Sequence, residues 1–521
     1  MLLTDLLENT SKKYPDNIVV RDKDREISYR QLAILSSRLA SCLIRQGVEL
    51  GDRIGIYLDR SIEAAVAIFG ILKAGAAYVP IDITFPPERK AYIIDNCSIK
   101  ILIIDSKKIE LFAENLTSAS CLNCMLVMDD LEAKEGKIPK KIKVIPFQRI
   151  VSFEPLKDDL PISDSALANI LYTSGSTDQP KGVMATHRAL TACIDNVFKY
   201  YMLSSKERIS STVPLHFSMS VFEIFVTIKA GATICLVPSG MFAFPTSLAN
   251  FIEKERLTVW HSVPSVITPL VLYGNLKERN LSSLRLVHLG GEVIPVEYLR
   301  QFMSIVPHAQ CYNIYGSAET HEITRFHINQ SSNSVTIIPV GKPWEEVEIF
   351  LVDEAGNLVQ KEEGATGELY VYTPSLMQGY WADKKRTDQV LFRSSFHPQE
   401  KEVKIYRTGD IAKIDQDGNY VLIGRADSTI KRGGIRIGLD EIEAVLFNRP
   451  EVREAAVVVK GQGVRPEIKA VIVLQKRSFL SEEDIRGFCR KKLARYMVPD
   501  RFEFRDFLPR TSTGKIDKKN L

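Results

Sequence analysis

The sequence lacks the features of an exported or membrane-spanning protein. Its opening residues, MLLTDLLENTSKKYPD, carry an acid early and show no basic start followed by an apolar run, so no signal peptide is predicted. The longest apolar stretch, residues 64–81, is interrupted by Lys73 and contains two glycines and Pro80. Such a stretch favours a buried helix that turns into a strand. We therefore expect a cytoplasmic protein that has no membrane partner.

The sequence also has little net charge and few cysteines. The 521 residues include 68 lysines and arginines against 64 acidic residues, and the formal charge of +4 is too thinly spread to indicate a nucleic-acid partner. The eight cysteines lie mostly in apolar stretches, as reduced cysteines do. Cys121 and Cys124 form one CxxC pair without a second ligand pair, which favours an incidental loop pair over a zinc or redox site.

What remains is an ordinary globular composition in which helical and strand patterns alternate. Leu32, Leu35, Leu39 and Leu43 recur at helical spacing, and runs such as DRIGIYL, IKILIIDS and LRLVHLGGE predict short buried strands. No internal repeat or low-complexity tract interrupts the alternation. The predicted fold class is therefore α/β, with a large region of layered, largely parallel sheets over residues 1–426.

The last part of the chain has a different pattern. A helix around residues 439–448 precedes two β-branched runs, EAAVVVK and IKAVIVLQ. Ser481 and Asp484 then form a capping-box start for a further helix. We predict a small, mobile α+β domain over residues 427–521, with the Gly-rich, charged GRADSTIKRGG segment as its hinge.

A run of hydroxyl and glycine residues, YTSGSTDQPKG, extends from Tyr172 to Gly182. Backbone N–H groups, hydroxyls and an ammonium are the donors that a polyphosphate needs. Gly175 is followed five positions later by Pro180, so this is not a Walker A loop. We predict a phosphate-binding loop here, in preference to a flexible surface loop. Its residues are Thr173, Ser174, Gly175, Ser176, Thr177 and Lys181.

Further segments follow this loop in a fixed order. Together with the loop, they are LKAGAAYVPID, NIYGSAET, GELYV, YRTGD, GRADSTIKRGGIRI and PRTSTGKID. Over almost the whole chain, the ordered set resembles the adenylate-forming superfamily, in particular the adenylation domains of nonribosomal peptide synthetases. The resemblance implies the adenylate-forming enzyme fold and an AMP-forming acid–thiol ligase that uses ATP and Mg²⁺. It also implies a role in nonribosomal peptide or antibiotic biosynthesis.

The same resemblance assigns roles in nucleotide binding. Tyr315 is expected to stack on adenine, and Glu319 is expected to hold Mg²⁺. Asp410 is expected to bind the ribose, because an ionised carboxylate can accept O–H bonds from both hydroxyls of a diol. The other residues expected to line the nucleotide are Gly290, Gly291, Glu292, Asn313, Gly316 and Arg425.

Lys515, in the PRTSTGKID segment, resembles the catalytic lysine of the family. Its ammonium would stabilise the negative charge that develops when the substrate carboxylate attacks the α-phosphorus. The resemblance also implies a two-position cycle, in which the small domain rotates about Asp427 and brings Gly433 and Gly434 to the active site. Paired glycines leave room for a slim pantetheine arm. The alternative for these glycines is a simple β-turn.

The position that bears most on the substrate, Ser218, departs from the pattern of the family. Ser218 stands where amino-acid-activating relatives place an aspartate for the substrate α-ammonium, and a buried ammonium without an anion is costly. The amine therefore either lies elsewhere, with Glu322 as its counter-ion, or is absent, as in a hydroxy, keto or aryl acid. The resemblance places the rest of a mostly apolar pocket at Phe217, Met219, Phe222, Ser265, Val287, Leu289, Ile314 and Ile323.

Two other departures concern the nucleotide. Asp178 replaces a usual glycine in the phosphate loop. Ala318 replaces the usual threonine before Glu319, so one hydroxyl contact to the phosphate is missing unless Ser317 or Thr320 supplies it. For a chain that ends as this sequence does, the expected acceptor is a separate phosphopantetheinylated carrier protein or coenzyme A. The alternatives are an acyl- or aryl-CoA ligase and a catalytically weak protein that binds nucleotide or docks a carrier.

Overall fold

The structure is a computed structural model, and all statements below refer to the residues that it describes. These are residues 1–85, 87–113, 121–129, 142–158, 160–173, 180–329, 337–394, 396, 403–426, 429–432, 435–460, 467–476, 478–493, 497–510 and 516–521. Within them, no helix is both long and apolar enough to cross a membrane. Residues 64–81 lie in a buried helix and the strand after it, as predicted.

Some of the helices begin where a side chain satisfies one of their first N–H groups. Ser28 Oγ accepts from Gln31 N at 3.2 Å and starts the second helix, while the predicted capping box of Ser481 and Asp484 starts the last one. The helices are α1 Leu3–Lys13, α2 Tyr29–Arg45, α3 Ile62–Lys73, α4 Pro87–Asn96, α5 Ile109–Ala113, α6 Phe147–Val151, α7 His187–Tyr201, α8 Thr227–Ala230, α9 Pro245–Lys254, α10 Ile267–Tyr273, α11 Val296–Ile305, α12 Lys384–Val390, α13 Leu439–Phe447 and α14 Glu482–Lys492.

The strands include those predicted from apolar and β-branched runs. They are β1 Ile18–Asp22, β2 Arg25–Ser28, β3 Arg53–Tyr57, β4 Ala77–Pro80, β5 Ile101–Ile104, β6 Cys124–Val127, β7 Lys143–Ile145, β8 Leu167–Thr173, β9 Lys181–Thr186, β10 Arg208–Ser211, β11 Thr233–Leu236, β12 Val259–Ser262, β13 Leu286–Gly290 and β14 Gln310–Ser317. The later strands are β15 His321–Ile328, β16 Lys342–Pro343, β17 Glu348–Val352, β18 Thr366–Tyr372, β19 Gly379–Tyr380, β20 Leu391–Ser394, β21 Val403–Ile414, β22 Tyr420–Arg425, β23 Thr429–Arg432, β24 Ile435–Gly438, β25 Val452–Lys460, β26 Glu467–Leu474 and β27 Arg501–Phe504.

Two large, mostly parallel sheets share one core. The first sheet has the order β16-β15-β14-β13-β12-β10-β11-β1-β2, and the second has the order β19-β9-β8-β4-β3-β5-β6-β7. Residues of α1, α2, α3 and α7 pack with both sheets in the largest apolar cluster. Helices α9, α10 and α11 cover the other face of the first sheet, and α4 covers the other face of the second. This confirms the predicted layered α/β fold.

Two smaller regions complete the described chain. An antiparallel third sheet has the order β17-β18-β21-β20, with β22 beside β21. Strands β25, β26 and β27 form a separate sheet, on which α13 and α14 pack in an apolar cluster of their own. The separate cluster agrees with a small C-terminal α+β domain. The boundary between residues 426 and 427 stays a prediction.

We expect the protein to lose stability as the pH falls below 6.5, because two buried histidines must be neutral in the fold. Burial lowers the pKa of His187 and of His321 from 6.5 to about 4. His187 Nδ1 accepts from Leu3 N at 3.2 Å, which requires an unprotonated Nδ1. Between the two pKa values the unfolded chain binds the extra proton, so each histidine removes about 1.4 kcal/mol of stability per pH unit.

Urea unfolding at about pH 7, 6 and 5 measures this loss as a falling midpoint. The variant His187→Gln lacks one titrating group and should show a shallower decline than the unmodified chain. A midpoint that does not change over this pH range would contradict the assignment.

Candidate active site

The predicted phosphate loop joins two antiparallel strands. β8 ends at Thr173 and β9 begins at Lys181, and these two residues pair across the hairpin. Thr173 Oγ1 is buried and has no hydrogen-bond partner among the described residues, so it can accept or donate a bond to a ligand. The predicted loop residues Ser174, Gly175, Ser176 and Thr177, together with Asp178, lie outside the described residues.

Lys181 contacts two groups from distant parts of the sequence. Its Nζ lies 2.7 Å from Glu319 Oε1 and 2.8 Å from the Tyr380 hydroxyl, which itself donates to Glu319 Oε1 at 2.8 Å. Burial raises the pKa of Glu319, but the Lys181 ammonium and hydrogen bonds from Tyr380 and Ser317 outweigh burial and lower it below its usual value. The Glu319 carboxylate is therefore ionised, although it is only 4% exposed.

The turn that carries Glu319 is closed by its own hydroxyls. Ser317 N donates to Thr320 Oγ1 at 3.2 Å, and Glu319 N donates to Ser317 Oγ at 3.3 Å. Thr320 is 1% exposed, and its hydroxyl also donates to His321 O at 3.2 Å. Ala318 packs against a small apolar cluster. The hydroxyl that is missing at Ala318 can therefore come from the half-buried Ser317 but not from Thr320.

Asp410 lies between Tyr315 and Arg425. The Tyr315 hydroxyl donates to Asp410 Oδ2 at 2.5 Å, and Arg425 Nη1 donates to Oδ1 at 2.8 Å. β21 and β22 place Asp410 opposite Arg425, whereas Tyr315 comes from the first sheet. Burial raises the pKa of Asp410 above its usual value, although Arg425 and Tyr315 act in the opposite direction. Each carboxylate oxygen can accept a second bond, so the group retains capacity for a diol.

Close packing explains the glycines of β13 and β14. A Cβ on Gly290 would lie 2.4 Å from the Ile314 side chain, and a Cβ on Gly316 would lie 1.7 Å from the His321 carbonyl oxygen. Gly291 has a φ of +87°, which favours glycine, and a Cβ there would come no closer than 3.5 Å to another side chain. Gly290 is therefore tightly packed, whereas a side chain at Gly291 would meet its neighbours only at ordinary van der Waals distance.

Two of the predicted nucleotide residues make contacts within the protein. Asn313 Nδ2 donates to Pro339 O at 2.8 Å, and Glu292 Oε2 accepts from Ser265 N at 3.1 Å. The amide nitrogen of Asn313 thus fixes the segment before β16. The Glu292 contact brings a predicted nucleotide residue together with Ser265, a predicted acyl-pocket residue. Contact of either residue with the base stays a prediction.

The predicted acyl-binding residues do not all share a face. Three of the predicted acyl-binding residues are half-buried and precede the π-helical segment Phe222–Val226. They are Phe217, Ser218 and Met219. Phe222 and Ile323 pack in the core between the two large sheets, whereas Val287 and Leu289 pack on the opposite face of the first sheet. Successive side chains of a strand alternate between its faces. The structure therefore does not bring Val287 and Leu289 to Phe222, contrary to the prediction of one common wall.

The side chain between these two residues, that of His288, lies against Phe222 instead. The rings of His288 and His261 each stack on the Phe222 ring, with a centroid-to-centroid distance of 4.5 Å in both cases. The two histidines are neighbours in register across β12 and β13. Glu322 Oε2, the predicted counter-ion, lies 3.5 Å from His288 Nε2. Neither histidine is a predicted site residue, nor is Tyr380. A histidine within an apolar strand, as in VWHS and LVHLG, is the sequence signal for the first two.

The predicted C-terminal residues lie outside the described residues. They are the catalytic Lys515, the hinge Asp427 and the thiolation-loop residues Gly433 and Gly434. Their flanks are described: Arg432 pairs with Ile435 between β23 and β24, and Arg510 forms a bridge with Ile516. The roles of these four residues stay predictions.

Lys181 lies next to the ionised Glu319 carboxylate, and Asp410 has a carboxylate that can accept a diol. The family model for AMP-binding enzymes matches residues 7–381, and that for the AMP-binding enzyme C-terminal domain matches residues 441–515. The chain belongs to the AMP-binding enzyme family.

Its relatives include freestanding ligases of similar length. An L-proline--[L-prolyl-carrier protein] ligase of Pseudomonas fluorescens is 30% identical, and the match covers 99% of this chain and 98% of the relative. Zwittermicin A synthase ZmaJ of Bacillus cereus is 31% identical over 99% and 94% of the two chains. Among solved structures, the anthranilate CoA ligase AuaEII in complex with anthranoyl-AMP is 25% identical with a TM-score of 0.84, and the match covers 100% of this chain and 96% of that one.

Proposed function

We propose that this enzyme activates a small amino acid with ATP and transfers the acyl group to the phosphopantetheine thiol of a separate carrier protein. The observation that carries this proposal is the Lys181–Glu319–Tyr380 cluster at the base of the phosphate-loop hairpin. The full-length likeness to an enzyme named as an L-prolyl-carrier protein ligase supports the carrier protein as acceptor.

The chemistry has two steps. In the first, a substrate carboxylate oxygen attacks the α-phosphorus of ATP, the bond to pyrophosphate breaks, and an acyl adenylate forms. In the second, a pantetheine thiolate attacks the acyl carbon, and the bond to AMP breaks. Lys181 would contact phosphate oxygens during the first step, and Asp410 would fix the ribose in both steps. Lys515 would stabilise the charge on the attacked phosphate.

The donor set fits ATP and magnesium. Hard cations prefer oxygen ligands, and Glu319 presents an ionised, buried carboxylate beside the phosphate loop. When bound, Mg²⁺ would neutralise negative charge on the phosphate oxygens. In that state the Lys181 ammonium would exchange part of its contact with Glu319 for contact with phosphate. The orphaned Thr173 hydroxyl would gain a partner as well.

Domain motion would separate the two steps. We propose that residues 427–521 rotate about Asp427, so that Lys515 serves the first step and Gly433 and Gly434 border the path of the thiol in the second. The separate apolar cluster of this region supports a body that can move as a unit.

Acid-dependent ATP–pyrophosphate exchange tests the activity. The panel includes proline, other α-amino acids, β- and γ-amino acids and acids without an amine. Exchange with at least one acid is the expected result, and loading of a phosphopantetheinylated carrier protein, followed by mass spectrometry, identifies the acceptor. Absence of exchange with every acid would leave nucleotide binding or carrier docking without catalysis.

An acyl- or aryl-CoA ligase is the second candidate. It is favoured by Ser218, which offers no charge to an α-ammonium, and by the fold shared with the anthranilate CoA ligase AuaEII. Coenzyme A consumed faster than the carrier protein is loaded, with an amine-free acid as substrate, would establish this candidate instead.

A further inference from the structure

A row of four polar side chains lies in the core beside Phe222. His261 Nδ1 is 3.1 Å from Glu223 Oε1, the two imidazole centroids are 5.1 Å apart, and His288 Nε2 is 3.5 Å from Glu322 Oε2. Both histidines are fully buried, and the Glu322 side chain is 12% exposed. None of the nucleotide contacts described above involves this row.

One end of the row is saturated. Glu223 accepts from the N–H groups of Thr212 and Val213 at 2.7 and 3.1 Å and from the Ser211 hydroxyl at 2.8 Å. Because Glu223 Oε1 already accepts the two N–H bonds, it also acts as an acceptor towards His261 Nδ1, which therefore carries the hydrogen of that contact. In the neutral ring, Nε2 is then an acceptor. This nitrogen is buried and has no partner among the described residues.

The other end has buried polar atoms without hydrogen-bond partners. Neither nitrogen of His288 nor Glu322 Oε2 has a hydrogen-bond partner among the described residues. Burial lowers the pKa of His288 below its usual value, although Glu322 acts in the opposite direction, so the ring is neutral at neutral pH. Ligand atoms of His261, His288 and Glu322 lie within 4.8 Å of one another. Buried acceptors without partners cost free energy, which points to a cationic donor supplied by a ligand.

We propose that His261, His288 and Glu322 bind the protonated distal amine of the acyl substrate, so that the substrate class is the ω-amino acids. This inference rests on the proposed function. An ammonium has three N–H donors for these three acceptors, and its charge compensates that of Glu322. Glu223 is already saturated, and Ser218 offers no anion to an α-ammonium. The two histidines thus act as specificity-determining residues together with Glu322.

The test compares each ω-amino acid with the acid in which a methyl group replaces the ammonium. The pairs are β-alanine with butyric acid, γ-aminobutyric acid with valeric acid and δ-aminovaleric acid with caproic acid. For the best pair, kcat/KM of pyrophosphate exchange should favour the amine by about 100-fold or more, because a site built for a polar group rejects the analogue that lacks it. Glu322→Gln should remove about 100-fold of this preference, and His288→Phe about 10-fold.

The variants separate recognition from folding. His288→Phe keeps a ring that can stack on Phe222 and removes only the nitrogens. A structural role alone would lower kcat/KM for both acids of a pair, whereas the expected change affects only the amine-bearing acid. The matched control is His308→Asn, since His308 contacts the Leu281 carbonyl outside this cluster and the active site, and should leave the preference unchanged.

Three outcomes would overturn the inference. A wild-type preference for the methyl-bearing acid would exclude an amine site at this cluster, while ATP-dependent activation of an acid would remain established by the exchange itself. Exchange with no acid at all removes the proposed function and this inference with it. One equivalent of zinc retained after incubation with Zn²⁺ and desalting, but lost in Glu322→Gln, would assign the cluster to a metal ion. Amine preference without retained zinc supports the proposal.

Discussion

Lys515→Ala is expected to lower acid-dependent ATP–pyrophosphate exchange by about 1000-fold. In the proposed function, this lysine stabilises the negative charge that forms on the attacked α-phosphate. One preorganised donor of this kind typically contributes a factor of about 100 to 1000 to the rate. The effect should fall on kcat, because the lysine contact strengthens in the transition state. Exchange kinetics with the preferred acid measure it.

The second step provides the internal comparison. With synthetic acyl adenylate and a phosphopantetheinylated carrier protein whose thiol is free, Lys515→Ala should transfer the acyl group at a rate within about 10-fold of the unmodified enzyme, because the proposed rotation removes the lysine from the site before the thiol attacks. Lys492→Ala, at the exposed end of α14, is the matched control in the same region and should leave both steps unchanged. Equal losses in both steps would contradict the two-position cycle.

Gly316→Ala is expected to destabilise the large region by about 3 kcal/mol or more and to abolish exchange. A Cβ at this position would lie 1.7 Å from the His321 carbonyl oxygen, and the pairing of β14 with β15 already shifts register between Tyr315 and Gly316. The obstacle is backbone, which cannot turn aside as a flexible side chain can. Any relief must displace Tyr315 or the turn that carries Glu319.

Thermal unfolding and exchange, measured on the same preparations, check this result. Gly487→Ala is the matched control: Gly487 lies within α14, nothing comes within 4 Å of an added Cβ, and alanine is the better helix former. It should keep full activity and an equal or higher melting temperature. A Gly316→Ala variant with normal melting and normal exchange would show that the strand pair around Tyr315 differs from the one described.

Local signals in the sequence predicted several elements of the fold. The capping box at Ser481 and Asp484 and the turn from α3 into β4 depend on residues close in sequence, and the structure contains both. The phosphate-loop hairpin follows the same rule, since Thr173 and Lys181 lie on adjoining strands. The order of motifs also predicted the family, which the two family models confirm.

The sequence by itself therefore determined the fold class, through local helix and strand patterns, and the family, through the resemblance of its ordered motifs. Only the tertiary structure decided that Tyr380 bonds to Lys181, that Val287 and Leu289 pack away from Phe222, and that two histidines lie beside Glu322. The reason is that strand register and alternation, set by contacts between residues far apart in sequence, decide which side chains share a face.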